Sequence, residues 1–145
     1  MLGVPSSVAK APVPVVDAYH DLRSYRSKVV FVAVNVNPYH LAVRDMATFT
    51  EEHELNTVPS WHFFTGPVND LRTVWTDYGV SVDAPSPSAD VIHSSFVYFI
   101  DPNGHERYLG SPEDDHTAKG DAYLPANQIA SWGQGIAMVA RSMST

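Results

Sequence analysis

The chain has 145 residues, a formal net charge of −7 at pH 7 and no cysteine. Its length is typical of one domain with one hydrophobic core, so we predict a single domain over residues 1–145. The acidic charge argues against nucleic acid or an anionic membrane as the main partner, and no apolar run approaches the roughly 18 residues of a membrane span. Disulfide exchange needs an attacking thiolate, which this chain cannot supply.

The N-terminal third begins with a proline-rich stretch and continues into a helix and a strand. Residues 1–14 contain several prolines and small residues, and we predict that they are irregular. The apolar spacing of Val15–Tyr25 predicts a short amphipathic helix. The β-branched and aromatic run Val29–Val36 is typical of a strand that is buried on both faces of a parallel sheet.

The middle of the chain repeats the alternation of helix and strand. Asn37-Pro38 provides a helix N-cap and a first-turn proline, which predicts a helix that reaches about Leu55. Trp61–Phe64 is predicted to be a short strand, and the residues that follow it open another helix. Gly79 lies where a glycine that ends this helix is expected.

The C-terminal part combines a hairpin with a final helix. The apolar run His93–Ile100, the turn signal Asp101–Gly104 and the returning segment His105–Leu109 predict an antiparallel hairpin. A polar, acidic loop over Ser111–Tyr123 then leads into a helix over Pro125–Met143. We expect the two glycines of this helix to weaken it by roughly 1 kcal/mol each relative to alanine.

The order of these elements predicts an α/β fold. Strands that alternate with helices favour a central, mostly parallel sheet with helices on its faces, and the hairpin adds an antiparallel edge. The ordered segments VVFVAVNVNP, PSWHFFTGP, VWTDYGV and VIHSSFVYFIDPNGHERYL resemble the Sco/SenC family. The resemblance implies a thioredoxin-like fold and a role in copper delivery to cytochrome c oxidase, and for some members thiol–disulfide oxidoreductase activity.

The resemblance also implies a copper site with two cysteines of a C-x-x-x-C-P motif and one distant histidine. His93 matches that histidine, and Ser7 and Ala11 occupy the two cysteine positions, with Pro12 after them. Soft Cu(I) favours thiolate ligands, so we expect weak copper binding or none from this chain. The resemblance implies copper as the cofactor of the family, and respiratory oxidase subunits or copper proteins as partners.

This register leaves no room for the strand that precedes the cysteine motif in the family. That strand lies between the counterparts of Val29–Val36 and His93–Ile100, so we predict that the first core strand is missing or truncated. The chain is then a fragment, a chain with a misplaced start or a cysteine-less paralogue. The two strands Val29–Val36 and His93–Ile100 then either close up against each other or leave edges that are templates for pairing. Of the two we favour a homodimer formed by strand addition or exchange of an N-terminal segment.

Three functional interpretations follow. The first is a Sco/SenC-like protein related to copper delivery and redox chemistry, with the cysteine-dependent chemistry absent. The second is a cysteine-free thioredoxin-like binding module that acts through protein–protein contacts. The third is an enzyme that uses histidine and carboxylates, but the other six histidines lack zinc-site spacing and we expect no enzymatic activity. The sequence does not give the compartment, and the resemblance implies an extracytoplasmic, membrane-anchored parent.

Overall fold

The computed structural model of the chain describes residues 14–111, 115–116, 118, 122–123 and 125–144. Its α-helices are α1 (Val15–Leu22), α2 (Val43–Glu52), α3 (Val68–Asp77) and α4 (Ala126–Met143). Its strands are β1 (Phe31–Val34), β2 (Trp61–Phe64), β3 (Val82–Asp83), β4 (Ile92–His93), β5 (Val97–Ile100), β6 (Glu106–Gly110), β7 (Asp115–His116) and β8 (Ala122–Tyr123). Two short 3₁₀ helices are Arg23–Lys28 and Leu55–Thr57.

The described residues group into two compact units. The first contains residues 31–56 and 61–95, and the second contains residues 14–30, 57–60 and the described residues from 96 to 144. The single domain over residues 1–145 stays a prediction. Within the described ranges, no helix is long and apolar enough to cross a bilayer.

The strands pair two by two in the described part of the chain. β1 and β2 are parallel, with Phe31 opposite Trp61, and the pairs β3–β4, β5–β6 and β7–β8 are antiparallel. The predicted parallel pair and the predicted hairpin are therefore both present, but as separate sheets rather than as one. None of the described residues forms the strand that the resemblance places between them. The short pair β7–β8 lies where we expect only a loop.

The core of the first unit lies between β1 and α3. Val36, Leu71 and Trp75 are buried together, and four partly buried side chains pack around them: Val34, Leu41, Val80 and Val82. We expect the strand Val29–Val36 to be buried on both faces, but β1 spans only Phe31–Val34, and Val32 is 58% exposed while Phe31 is 9% exposed. One face of β1 is buried and the other is open, because a two-stranded ribbon lacks the cover of a full sheet.

The boundaries of α2 and α3 show how local side chains decide where a helix begins and ends. The Asn37 side chain accepts hydrogen bonds from the backbone N–H groups of Tyr39 and His40, at 2.9 and 3.3 Å. This closes a turn rather than a helix, so the predicted start at Asn37-Pro38 is wrong and α2 begins at Val43. The predicted end of α3 is confirmed, because Gly79 has a φ of 64° and directly follows Tyr78, the C-cap residue of the helix.

The hairpin β5–β6 forms around the predicted turn. The backbone N–H of Asp101 donates to the carbonyl of His105 at 2.9 Å, and Gly104 has a φ of 83°, which favours glycine. The upstream part of the predicted strand is wrong, because residues 94–96 are irregular and His93 belongs to the separate strand β4. This interruption places His93 in the first unit, while the hairpin lies in the second.

The second unit is built on the contact between α1 and α4. Ala18, Leu22 and Ala137 are fully buried. A Cβ atom added to Gly133 would lie 2.6 Å from Cβ of Asp17, so the two helices meet where a side chain is missing. The sequence-based view of this glycine as a weak point of the helix is therefore incomplete, because it is also the point of closest approach.

Candidate metal site

His93 lies on a two-residue strand in the first unit. β4 pairs antiparallel with β3, and His93 stands opposite Val82. The imidazole is half-buried. Its Nδ1 atom lies 2.9 Å from the carbonyl oxygen of Ser94, and a carbonyl accepts only, so Nδ1 donates. The lone pair of this tautomer is on Nε2, which is the arrangement in which histidine commonly binds a metal.

Ser81 and Ser94 are hydrogen-bonded to each other beside His93, at the end of the β3–β4 pair. The backbone N–H of Ser94 donates to the carbonyl of Ser81 at 3.0 Å, and the N–H of Ser81 donates to the Ser94 hydroxyl at 3.2 Å. The two hydroxyl oxygens are 2.8 Å apart. These bonds hold Ser94 against Ser81 across the β3–β4 pair, at the point where the predicted strand His93–Ile100 is interrupted. They also fix the backbone carbonyl that orients the His93 ring.

The described residues do not assemble further metal ligands around His93. Across residues 14–111 and the described positions beyond them, no group of three or more histidine, cysteine, aspartate or glutamate side chains is arranged to hold an ion. Ser7 and Ala11, the positions that we align with the family cysteines, lie outside the described residues, so their assignment stays a prediction. One imidazole without thiolates does not match the soft donor set that Cu(I) favours.

A buried polar network at the carboxyl end of β1 escaped the sequence analysis. Asn35 is 0% exposed and Asn37 is 2% exposed. The nitrogen of the Asn35 side-chain amide lies 3.2, 2.8 and 3.1 Å from the carbonyls of Asn37 and His40 and the hydroxyl of Thr65, so its two N–H groups are shared among three acceptors. The Asn35 side-chain oxygen accepts from the backbone N–H of Asn37 at 2.8 Å. The signal that could have found this network is the pair of asparagines at the end of an apolar strand.

The network ties three parts of the first unit together. The Trp75 indole N–H donates to the Asn35 carbonyl at 2.9 Å, and the Thr65 hydroxyl donates to the carbonyl of Leu41 at 3.1 Å. The Tyr39 hydroxyl donates to the carbonyl of Ala84 at 2.7 Å. A fully satisfied buried network of this kind specifies one arrangement of its loops. It therefore fixes the segment between β1 and α2.

Comparisons with known proteins agree with this architecture. The SCO1/SenC family model matches residues 13–121. The structure of ScoI from Bradyrhizobium japonicum with copper bound is 14% identical, with a TM-score of 0.64 over 97% of this chain and 78% of that chain. A SCO1/SenC family lipoprotein from Bacillus anthracis strain Ames is 19% identical, with a TM-score of 0.61 over 91% of this chain and 72% of that chain. No curated protein sequence matches significantly.

The two structural likenesses define the class: an α/β protein with the thioredoxin-like fold of Sco proteins. The family model extends over most of the chain, and the chain belongs to the SCO1/SenC family. The resemblance and the fold class are thus confirmed. His93 lies inside the matched range, whereas Ser7 and Ala11 precede it.

Proposed function

We propose that this chain is a Sco-related accessory protein of copper handling in which the cysteine-dependent steps are absent. The observation that carries the proposal is the family match over residues 13–121, which includes His93. The similar ScoI structure has copper bound. By this similarity we infer that copper is also the cargo of this chain. His93 supports the proposal because its Nδ1 donates to a carbonyl and its lone pair is on Nε2.

The finer parts of the proposal concern clients and location. We extend it to respiratory oxidase subunits or copper proteins as partners, because these are the clients that the family resemblance implies. A similar solved structure is a lipoprotein, and this supports an extracytoplasmic, membrane-anchored parent. Redox exchange is not part of the proposal for this chain, since the sequence contains no thiol.

A second candidate function is a binding module that acts through protein contacts alone. It is favoured by the absence of cysteine from a scaffold whose described residues expose many large apolar side chains, with Val43, Ile92 and Met138 each more than half exposed. Under this alternative, a His93→Ala variant binds copper as well as the parent does. Under the first proposal, removal of His93 lowers whatever copper affinity the chain has.

The first prediction of this proposal concerns copper affinity. The Ser7→Cys/Ala11→Cys variant should bind Cu(I) roughly 100-fold more tightly than the parent or better, because thiolates replace weak oxygen ligands. Adding His93→Ala to this variant should then lower the affinity. Competition against a chromophoric Cu(I) chelator measures all of these. A matched control is His62→Ala, since His62 is an exposed histidine on β2 in the same unit. If the double-cysteine variant binds no better than the parent, our register of the cysteine motif is wrong.

The second prediction concerns self-association. Among the described residues β1 pairs only with β2, and the segment 29–36 contains no charged residue or proline that would protect an edge. We expect two copies to associate through this strand, and we expect Val32→Lys to shift the population towards monomer. Val43→Lys is the control, because Val43 is 76% exposed on α2 rather than on a strand.

Light scattering across a dilution series measures this association. The mass of the parent should fall from that of a dimer to that of a monomer on dilution. For Val32→Lys, this fall should occur at a higher protein concentration. A parent that stays monomeric at every micromolar concentration, with a sheet that hydrogen exchange shows to be protected, would mean that the sheet needs no second copy.

A further inference from the structure

The turn between β5 and β6 contains a reactive pair of residues. Asn103-Gly104 is the single Asn-Gly dipeptide in the sequence. Asparagine is a thermolabile residue, and a following glycine leaves the backbone nitrogen open to approach because no side chain shields it. Gly104 also has a φ of 83°, so the turn depends on glycine at this position.

The same turn holds the backbone nitrogens near this pair in hydrogen bonds to Asp101. The N–H groups of Asn103 and His105 donate to Oδ1 of Asp101, at 2.9 and 3.0 Å. The N–H of Gly104 donates to the Asp101 carbonyl at 2.9 Å. The nitrogen that would attack the Asn103 side chain is therefore engaged while the turn is closed.

The charge state of Asp101 supports this arrangement. The N–H of His105 is the main cause that holds the pKa of the Asp101 carboxyl below its usual range, helped by the N–H of Asn103 and by the positive charges of His105 and Arg107. Arg107 Nη1 lies 3.5 Å from Oδ2. Aspartate is ionised at neutral pH in any case, and the contacts of this turn favour that form, which accepts the two backbone hydrogen bonds as a charged acceptor.

We propose that Asn103 is a site of spontaneous deamidation and that Asp101 sets its rate by keeping the turn closed. The Gly104 nitrogen loses its proton and bonds to Cγ of Asn103, and the side-chain amide leaves as ammonia. Water then opens the five-membered succinimide ring at one of its two carbonyls. The product is aspartate or isoaspartate, and no oxidant or reductant takes part.

Modification changes the hairpin in two ways. Either product places a new carboxylate beside Asp101, and isoaspartate also inserts a methylene group into the backbone of the turn. The hairpin is packed closely in the second unit, since a Cβ on Gly110 would lie 3.1 Å from the Trp132 ring. A lengthened turn disturbs the β5–β6 register that brings Gly110 to this ring. Deamidation of Asn103 over time would therefore disturb the packing of the hairpin.

The test is a time course at neutral pH, followed by peptide mapping with mass spectrometry that separates asparagine, aspartate and isoaspartate. Asp101→Ala removes the acceptor of two hydrogen bonds and should deamidate about tenfold faster than the parent. Asp101→Asn keeps a side-chain carbonyl acceptor but loses the charge, so its rate should lie between those of the parent and of Asp101→Ala. The new asparagine cannot form the ring, because Pro102 has no N–H. Asn103→Ser should show no change in this peptide.

The parent in urea gives the rate of the open chain and keeps the test independent of how well a variant folds. The proposal requires that the folded parent react more slowly than the parent in urea. Equal rates in the two conditions would overturn the protection by the turn. If Asp101→Ala reacts at the parent rate, Asp101 is not the cause of the protection. If Asn103 does not react in urea, it is not a deamidation site.

Discussion

Replacing Asn35 by leucine should lower the free energy of unfolding by about 3 kcal/mol, although the two side chains are similar in volume. The change leaves the backbone N–H of Asn37 and the carbonyl of His40 without their partner. The hydrogen bond at Asn37 is buried and the one at His40 is partly buried. An unpaired polar group in a buried position costs about 1–3 kcal/mol. Urea denaturation followed by tryptophan fluorescence measures the loss, because Trp75 donates to the Asn35 carbonyl and reports on the same network.

The control for this prediction is the same substitution at an exposed asparagine. Asn56 is exposed in the 3₁₀ helix, so Asn56→Leu should change the stability by no more than about 0.5 kcal/mol. Asn35→Asp adds a second test, because its carboxylate oxygen would face carbonyl acceptors and destabilise the fold most at high pH. Equal stabilities of the Asn35 and Asn56 variants would show that the buried network contributes little.

Replacing Gly133 by alanine should lower the free energy of unfolding by about 2 kcal/mol, even though alanine is the better helix former. The added Cβ would lie 2.6 Å from Cβ of Asp17, 3.1 Å from the nitrogen of Ala18 and 3.2 Å from the carbonyl oxygen of Pro14. Two of these atoms belong to the backbone, so no flexible side chain can yield, and α1 must move away from α4. Thermal unfolding should show a decrease in Tm of several degrees.

Gly135 provides a matched control on the same helix. A Cβ at Gly135 meets nothing within 4 Å. Gly135→Ala should therefore raise the stability by about 1 kcal/mol through helix propensity alone. The two variants are expected to change Tm in opposite directions. A gain in Tm for both would contradict the close approach of the two helices at Gly133.

Periodicity and turn chemistry were sufficient to predict the types of the longer elements, but not the strand β3 or the pair β7–β8. The strand Trp61–Phe64, the helix end at Gly79 and the hairpin around the Asp101–Gly104 turn follow from local signals, because each depends on residues that are close in the chain. The helix start at Asn37 was wrong for a related reason. An asparagine before a proline can cap either a helix or a turn, and local sequence does not distinguish the two.

Long-range contacts account for what the sequence left out. The Asn35 side-chain amide is hydrogen-bonded to Thr65, which directly follows β2. Ser94 is hydrogen-bonded to Ser81 across the β3–β4 pair. Gly133 on α4 lies against Asp17 on α1, which is far from it in the sequence. Nothing near these residues in the chain marks such partners. Of the candidate site, the sequence predicts His93 alone, through the family motif, and this stays a prediction. The hydrogen bond between its ring and the Ser94 carbonyl could not be predicted from the sequence.

The central claim is that this chain keeps the Sco scaffold and its histidine ligand but lacks the two thiolates. X-ray absorption at the copper edge, on the Ser7→Cys/Ala11→Cys variant loaded with Cu(I), tests it most directly. The account predicts sulfur ligands together with one imidazole nitrogen, and it predicts that this nitrogen is lost when His93→Ala is added. A copper spectrum that is the same with and without His93 would contradict the account.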